Sequence, residues 1–243
     1  MSGNASGTGG ASGTKAVRTD GGRLVYRAWG AEAGRPVVLL HALGEDGEDW
    51  RGPLISQLAA DHPIYALDLR GHGDSDWPGD YALARFREDL LAFLDALAID
   101  RAILVGHSFG SFVAYLFAQD HGERVERLVL EETGVMRPPR EPRPLPERPP
   151  GEPRFDWEVV VQWCAQRNAP DPAWWDRLPE ITAPTLLIGG GETSHLPQED
   201  LVTMAERLPD ARLVTIDGGG HLVHEDRPKE FATAVVSFLA ESA

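Results

Sequence analysis

The chain has very little cysteine, with a single residue, Cys164, among 243. No disulfide can form within such a chain, which fits a reducing compartment and predicts a cytoplasmic protein. Cys164 lies in the apolar stretch "VVVQWCAQRN", so we expect it to pack as a small hydrophobic residue.

Positive charge is also scarce. Lys and Arg total 23 against 38 Asp and Glu, and the formal net charge is −15. An acidic surface repels phosphate backbones and anionic lipid headgroups, so we expect no nucleic-acid and no membrane partner. No apolar run approaches the roughly 20 residues that span a bilayer. The N-terminal stretch "MSGNASGTGGASGT" lacks a basic start and an apolar region, so we expect no secretory signal.

From Leu24 onwards, short apolar runs alternate regularly with longer amphipathic ones. Continuous apolar runs such as "PVVLL" and "RAILVGH" predict buried strands, whereas Phe86, Leu90 and Phe93 have the spacing of one helix face. Strands that alternate with helices predict an α/β fold with a mostly parallel sheet covered on both faces. In such sheets, ligands bind at the carboxyl ends of the strands.

Two segments depart from this pattern. Residues 1–19 begin Gly/Ser/Thr-rich and are predicted to be a disordered tail. Residues 134–180 are predicted to be an insertion over the strand ends. Its first part, "RPPREPRPLPERPPGEP", is expected to be a mobile linker, because proline lacks the amide donor that helices and inner strands need. Its second part predicts a small helical cap, which leaves residues 20–133 and 181–243 as the core.

The stretch "LVGHSFGS" suggests a nucleophile at Ser108. The pattern G-x-S-x-G follows a predicted strand and precedes a predicted helix, and a sharp strand-to-helix turn there would present the serine oxygen at the sheet edge. Gly106 and Gly110 would let the backbone pack closely at this turn. The alternative is that Ser108 only caps the helix that follows it.

A serine hydroxyl needs an adjacent base, and His221 is the first candidate. It lies in "TIDGGGHLVHEDRP", between the last predicted strand and the last predicted helix, where the preceding glycines permit a tight turn. His224 is the second candidate, with the start of a helix as its other interpretation. His107 is expected to be structural. The chain has no H-E-x-x-H and no C-x-x-C pattern, so no metal site is predicted.

The ordered set of motifs "VVLLHALGEDGEDW", "YALDLRGHGDSDWP", "LVGHSFGS", "RLVLEE", "APTLLIGG" and "GGGHLVHEDRP" resembles the α/β-hydrolase superfamily. The resemblance covers nearly all of residues 20–243. It implies that Ser108 is the nucleophile and His221 the general base. It also implies an oxyanion hole made of the backbone N–H groups of Leu43 and Phe109, and it implies no cofactor.

The acidic partner of His221 does not follow the usual pattern of the superfamily. Most members of this superfamily carry an aspartate shortly after the strand that reads "PTLLI" here, and the match places Thr193 there. A threonine carries no charge and cannot stabilise an imidazolium as a carboxylate does. Some haloalkane dehalogenases resemble the alternative arrangement, with the acid after the preceding strand, and an ungapped match to them points to Glu132. Glu131 and Glu192 remain open as alternatives.

Three residues are candidates for substrate contact. His195, in "TSHLPQED", is expected near the rim of the site, although it could instead only shape its loop. Trp157 and Trp174 lie in the insertion with two further tryptophans. Four large rings there predict either an apolar lid over the pocket or an anchor that holds the cap to the core.

These residues predict a serine hydrolase that cleaves a small-molecule ester, thioester or lactone through an acyl-serine intermediate. The same residues could support hydrolysis of a carbon–carbon bond, or perhydrolysis without a cofactor. A third alternative is a ligand-sensing protein with little turnover. The segment "GGGETS", which has Thr193 at the usual aspartate position, gives this last interpretation some support, because loss of the acid is one route to an inactive relative.

Overall fold

The computed structural model describes residues 12–241, in which one eight-stranded sheet has the order β1-β2-β4-β3-β5-β6-β7-β8. The two pairings that involve β2 are antiparallel, and all the others are parallel. The strands are β1 (Ser12–Thr19), β2 (Gly22–Gly30), β3 (Val37–Leu40), β4 (Pro63–Leu67), β5 (Ala102–His107), β6 (Val125–Glu131), β7 (Thr185–Gly189) and β8 (Ala211–Thr215).

The helices pack on both faces of this sheet. They are α1 (Pro53–Leu58), α2 (Leu83–Ala96), α3 (Phe109–Asp120), α4 (Trp157–Asn168), α5 (Pro172–Asp176), α6 (Gln198–Arg207), α7 (Val223–Asp226) and α8 (Pro228–Ala240). Within residues 12–241, no helix combines the length and the apolar character needed to cross a membrane.

Two apolar layers hold the helices to the sheet, because successive side chains of a strand point to opposite faces. Val38 and Leu40 of β3 join the layer that contains residues of α2 and α3. Val37 and Leu39 join the layer that contains residues of α1 and α8. This arrangement explains why the strand sequences are continuously apolar, and it confirms the predicted α/β fold.

The tail prediction is wrong for residues 12–19, which form β1 and pair antiparallel with β2. Backbone hydrogen bonds to the edge of β2 hold this strand, whereas most of its side chains are exposed. Its sequence therefore carries little hydrophobic signal. The rest of the predicted tail, residues 1–11, lies outside the described residues.

The insertion contains α4 and α5, as the predicted cap requires. Trp163 and Trp175 are buried and belong to the same apolar layer as α3, so these two rings anchor the cap to the core. The preceding Pro/Arg-rich part has neither helix nor strand and is mostly exposed. It contacts α4 through Asn168, whose side-chain oxygen accepts a hydrogen bond from the Arg143 amide at 2.8 Å.

Candidate active site

Ser108 lies at a strained turn between β5 and α3. Its backbone has φ 48° and ψ −108°, in a region that non-glycine residues rarely adopt. The Ser108 side chain makes no capping hydrogen bond to α3, so the interpretation as a helix cap is wrong. Gly110 is required for packing here, since a Cβ atom at that position would lie 2.1 Å from the carbonyl oxygen of Leu40.

His221 follows β8 and faces the serine. Its Nε2 lies 2.9 Å from Ser108 Oγ. A second contact fixes the histidine loop, because His107 Nε2 donates to the backbone oxygen of His221 at 2.8 Å. His107 is the last residue of β5. The strand that ends just before Ser108 therefore also holds the backbone of His221 in place.

Glu132 completes a hydrogen-bonded series with these residues. Its Oε2 lies 3.2 Å from His221 Nδ1, and a positive φ of 48° turns its backbone where β6 ends. We call Ser108, His221 and Glu132 the serine triplet. A carboxylate bound to Nδ1 leaves the Nε2 lone pair directed at the serine hydroxyl, which is the arrangement a general base needs.

The Glu132 carboxylate is fully buried but well supplied with donors. Its Oε1 accepts from the Gly190 amide at 2.6 Å and from Gln198 Nε2 at 3.2 Å, and Ser194 Oγ donates to Oε2. Burial raises the pKa of this carboxyl group, but the hydrogen bonds from His221, Ser194 and Gly190 outweigh burial and hold the pKa below its ordinary value. Glu132 is therefore ionised at neutral pH.

The loop after β7 has a role different from the one that the superfamily pattern suggests. Thr193 occupies the place of the usual acid, and its hydroxyl accepts from the Gly220 amide at 3.1 Å, which joins this loop to the histidine loop. Gly190 and Ser194 of the same loop donate to Glu132. The loop thus supplies donors to a carboxylate instead of supplying the carboxylate. Glu192 is exposed, so it is not the partner of His221.

Glu131 is also not the partner of His221. Both of its oxygens lie within 2.9 Å of His224 Nδ1, and Oε1 also accepts from the His224 amide at 2.8 Å. His224 Nε2 lies 3.4 Å from Asp49 Oδ1. Burial lowers the pKa of His224, but the carboxylates of Glu131 and Asp49 outweigh burial and raise the pKa to about 10. We call Asp49, His107, Glu131 and His224 the buried cluster.

Leu43 and Phe109 are the predicted sources of the oxyanion donors. Within residues 12–241, neither of their backbone N–H groups donates to a protein acceptor. Phe109 starts α3, where free amides and the helix dipole favour an anion. Leu43 follows β3, which pairs with β5, and Gly110 of α3 packs directly against the end of β3. Both amides therefore lie on segments that border Ser108.

The three residues predicted to contact substrate have different surroundings. His195 is exposed, and its ring centroid lies 4.2 Å from that of His221, at the rim of the site. Partial burial of the ring and the neighbouring His221 lower the pKa of His195 below its ordinary value. Trp157 begins α4 and contacts Phe155, which stacks on His72 at 5.7 Å.

The Trp174 backbone lies near the end of α3 that is farther from Ser108, and contact of its side chain with substrate stays a prediction. Its backbone oxygen accepts a hydrogen bond from Gln119 near the end of α3, whereas Ser108 precedes the start of that helix. At 1.5 Å per residue the two ends are about 16 Å apart. Trp163 is the cap tryptophan that approaches the site, with its ring centroid 5.0 Å from that of Phe109.

Some residues of the site had no signal in the sequence. Ser194 and Gln198 contact Glu132, and Asp49 contacts His224, across separations of more than 60 and more than 170 positions. Phe155, which a Cβ atom at Gly44 would approach to 3.3 Å, lies after the proline-rich part of the insertion. Only the rule that strand ends meet at one edge could have brought these segments together.

Comparison with known proteins agrees with the fold described above. The family model described as the alpha/beta hydrolase fold matches residues 35–171. The 2-hydroxymuconate semialdehyde hydrolase of Pseudomonas sp. (strain CF600) is 29% identical over 253 aligned residues, covering 86% of this chain and 88% of its own length. An esterase of Escherichia coli (strain K12), YbfF, is 26% identical over 246 aligned residues, covering 84% of this chain and 92% of its own length.

Among solved structures, the enol-lactonase from Burkholderia xenovorans LB400 superposes with a TM-score of 0.81. It is 25% identical, and the match covers 93% of this chain and all of that one. The family model, the relatives and the structural match agree with the resemblance inferred from the motifs. The chain belongs to the α/β-hydrolase family.

Proposed function

We propose that this protein is a serine hydrolase that cleaves an ester-type bond of a small molecule through an acyl-serine intermediate. The observation that carries the proposal is the serine triplet, in which Ser108 Oγ, the two nitrogens of His221 and a Glu132 oxygen follow one another at 2.9 and 3.2 Å. A serine, a histidine and a buried carboxylate in this order are the parts that nucleophilic acyl transfer requires.

In this mechanism the Ser108 oxygen attacks the carbonyl carbon while His221 Nε2 takes the serine proton. The negative charge that forms on the carbonyl oxygen is stabilised by the amides of Leu43 and Phe109, and one such donor is worth about 3 kcal/mol in a comparable site. His221 then gives its proton to the leaving alcohol. Water, activated by the same histidine, hydrolyses the acyl-serine, and Glu132 stabilises the imidazolium at both stages.

The substrate class rests on the relatives and on the lining of the site. The E. coli relative is an esterase and the Burkholderia structure is an enol-lactonase, so carboxylic esters and lactones are the first substrates to test. Half-buried Phe155 packs on His72 and lies against Gly44, next to the proposed oxyanion donor Leu43, and contributes aromatic surface there. Such surfaces favour an apolar acyl or alcohol group.

Hydrolysis of a carbon–carbon bond is the second candidate. The Pseudomonas relative acts on 2-hydroxymuconate semialdehyde, whose name describes no ester, and it covers most of this chain. The ligand-sensing alternative depended on a missing acid at Thr193. Because Glu132 contacts His221 from the neighbouring strand end, that argument loses its basis.

A panel of substrates tests the proposal. We expect p-nitrophenyl esters of increasing acyl length, together with simple lactones, to be hydrolysed by the wild-type protein and not by Ser108→Ala. Turnover of a vinylogous 1,5-diketone without turnover of any ester would favour the carbon–carbon bond hydrolase. Binding without turnover of any compound would contradict both enzymatic candidates.

A further inference from the structure

The buried cluster contains polar atoms that the serine triplet does not use. Asp49 Oδ2, His107 Nδ1 and His224 Nε2 are all buried and make no well-formed hydrogen bond among the described residues, and His224 Nε2 has only its 3.4 Å ion-pair contact with Asp49 Oδ1. His107 is fully buried, and the side chains of Asp49 and His224 are 2% and 6% exposed. Buried polar atoms are nearly always satisfied, so several in one place indicate a bound water or ion between them.

The hydrogen bonds around this cluster determine which histidine nitrogens are free. His107 Nε2 contacts a backbone oxygen, which can only accept, so Nε2 carries the proton and Nδ1 has a lone pair. His224 Nδ1 donates to the Glu131 carboxylate, so Nε2 is the nitrogen that would lose its proton, now directed at Asp49, to bind a cation. A histidine that donates to a carboxylate or a carbonyl from its second nitrogen is the usual form of a metal ligand.

The distances suit a small divalent cation. One ligand atom from each of Asp49, His107 and His224 lies within 4.8 Å of the others. Three atoms at that separation lie at most about 2.8 Å from a common centre, so inward movements of about 0.7 Å each would give the 2.0–2.1 Å distances of zinc. Two imidazoles and one carboxylate are a ligand set that zinc prefers.

We propose that Asp49, His107 and His224 form a binding site for a divalent cation of the zinc type, located behind Ser108 and His221. Glu131 would hold His224 in the ligating tautomer. The three ligands come from the loop after β3, the end of β5 and the short helix α7. A bound cation would therefore join the segments that carry Leu43, Ser108 and His221. Because these ligands are far apart in the chain, motif spacing could not predict the site.

The test is titration of the full-length, chelator-treated protein with Zn²⁺, followed by calorimetry. We expect one Zn²⁺ per chain and a higher melting temperature in its presence. Asp49→Asn should weaken Zn²⁺ binding by more than about 100-fold, and Glu131→Gln by about 10- to 100-fold. The same preparations are checked for folding by circular dichroism.

A matched variant separates this site from the two histidines of the active site. His195→Ala/His221→Ala removes the other nearby pair of imidazoles and should leave Zn²⁺ affinity within a few fold of wild type. Loss of binding in this double variant would move the ion to the active site and overturn the proposal. Absence of stoichiometric binding by the wild type would also overturn it and would leave the buried cluster as an ion pair. Neither result depends on the folding of Asp49→Asn.

Discussion

The serine triplet and the buried cluster each contain a glutamate that contacts a histidine, but the two histidines have different surroundings. Glu132 and Glu131 are consecutive, and each contacts a histidine of the same loop, at His221 and His224. His221 lies between a carboxylate and a neutral hydroxyl, with 21% of its side chain exposed. His224 lies between two carboxylates, with 6% exposed. Only His221 has its second nitrogen next to a hydroxyl group, whereas the carboxylates on both sides of His224 raise its pKa.

The backbone at the end of β6 separates the two glutamates. Glu131 is the last residue of the strand, and Glu132 has a positive φ that ends it. This turn lets adjacent carboxylates reach histidines three residues apart. The comparison teaches that the partner on the far side of the imidazole, more than the carboxylate itself, decides whether a histidine can act as a base.

The largest effect is expected from Ser108→Ala. Removal of the nucleophile in a comparable triad lowers kcat by about 10⁶-fold, and we expect a loss of that order here. The measurement is steady-state hydrolysis of the best p-nitrophenyl ester. Near-normal kcat in a folded Ser108→Ala protein would remove the serine triplet from the mechanism.

Glu132→Gln should lower kcat by about 10²- to 10⁴-fold. The amide keeps the shape of the carboxylate but neither fixes the His221 tautomer nor stabilises the imidazolium. KM should change much less, because the side chain is buried and does not face substrate. Glu192→Gln is the matched control at an exposed carboxylate, and an equal loss of kcat there would contradict the assignment.

Glu131→Gln should lower the stability of the protein much more than its kcat. Breaking a buried ion pair costs about 3 kcal/mol or more, so the free energy of unfolding in urea should fall by about that amount. The kcat of the folded protein should fall far less than in Glu132→Gln. The opposite pattern, with a stable protein and a lost kcat, would exchange the roles of the two glutamates.

The pH dependence of stability tests the contrast between His224 and His221. The pKa of His224 is raised from 6.5 to about 10 in the folded protein. The folded state therefore binds more protons than the unfolded state between these values, and the contribution of His224 to stability is full below 6.5 and lost as the pH rises towards 10. We expect the stability difference between wild type and His224→Gln, measured with chelator present, to shrink over this range. A stability difference that grows with pH would contradict the raised pKa of His224.

The smallest effect is expected from Thr193→Ala. The substitution removes the hydrogen bond from the Gly220 amide, worth about 1 kcal/mol, and a longer one to the Gly190 oxygen at 3.4 Å, but no charge. We expect kcat within a few fold of wild type and a slightly lower melting temperature. A loss of kcat as large as that of Glu132→Gln would show that the loop after β7 has a direct catalytic role.

Much of the fold could be predicted from the sequence, because buried parallel strands are continuously apolar and their helices are amphipathic. The turn at Ser108 was visible for the same reason, since a strand, a motif and a helix follow one another. β1 was missed because an exposed edge strand is held by its backbone and shows little hydrophobic pattern. The position of the Trp174 backbone near the far end of α3 could not be predicted, because composition alone does not reveal which end of a helix a cap residue contacts.

To predict the contacts around Glu132, the order of the strands in the sheet must be known. β6 pairs with β5 on one side and with β7 on the other, so the end of β6 lies between the serine and the donor loop. A match to relatives could point to Glu132. Ser194 and Gln198 could not be inferred, because hydroxyl and amide donors after a strand have many ordinary roles.

The most direct test of the account is the rate at which a fluorophosphonate labels the intact protein, followed by mass spectrometry and peptide mapping. We expect a single adduct on Ser108 in the wild type, no adduct in Ser108→Ala, a rate at least 100-fold lower in Glu132→Gln, and a rate close to wild type in folded Glu131→Gln. An adduct on another residue, or slow labelling of Glu131→Gln with normal labelling of Glu132→Gln, would contradict the central claim that Ser108, His221 and Glu132 act together.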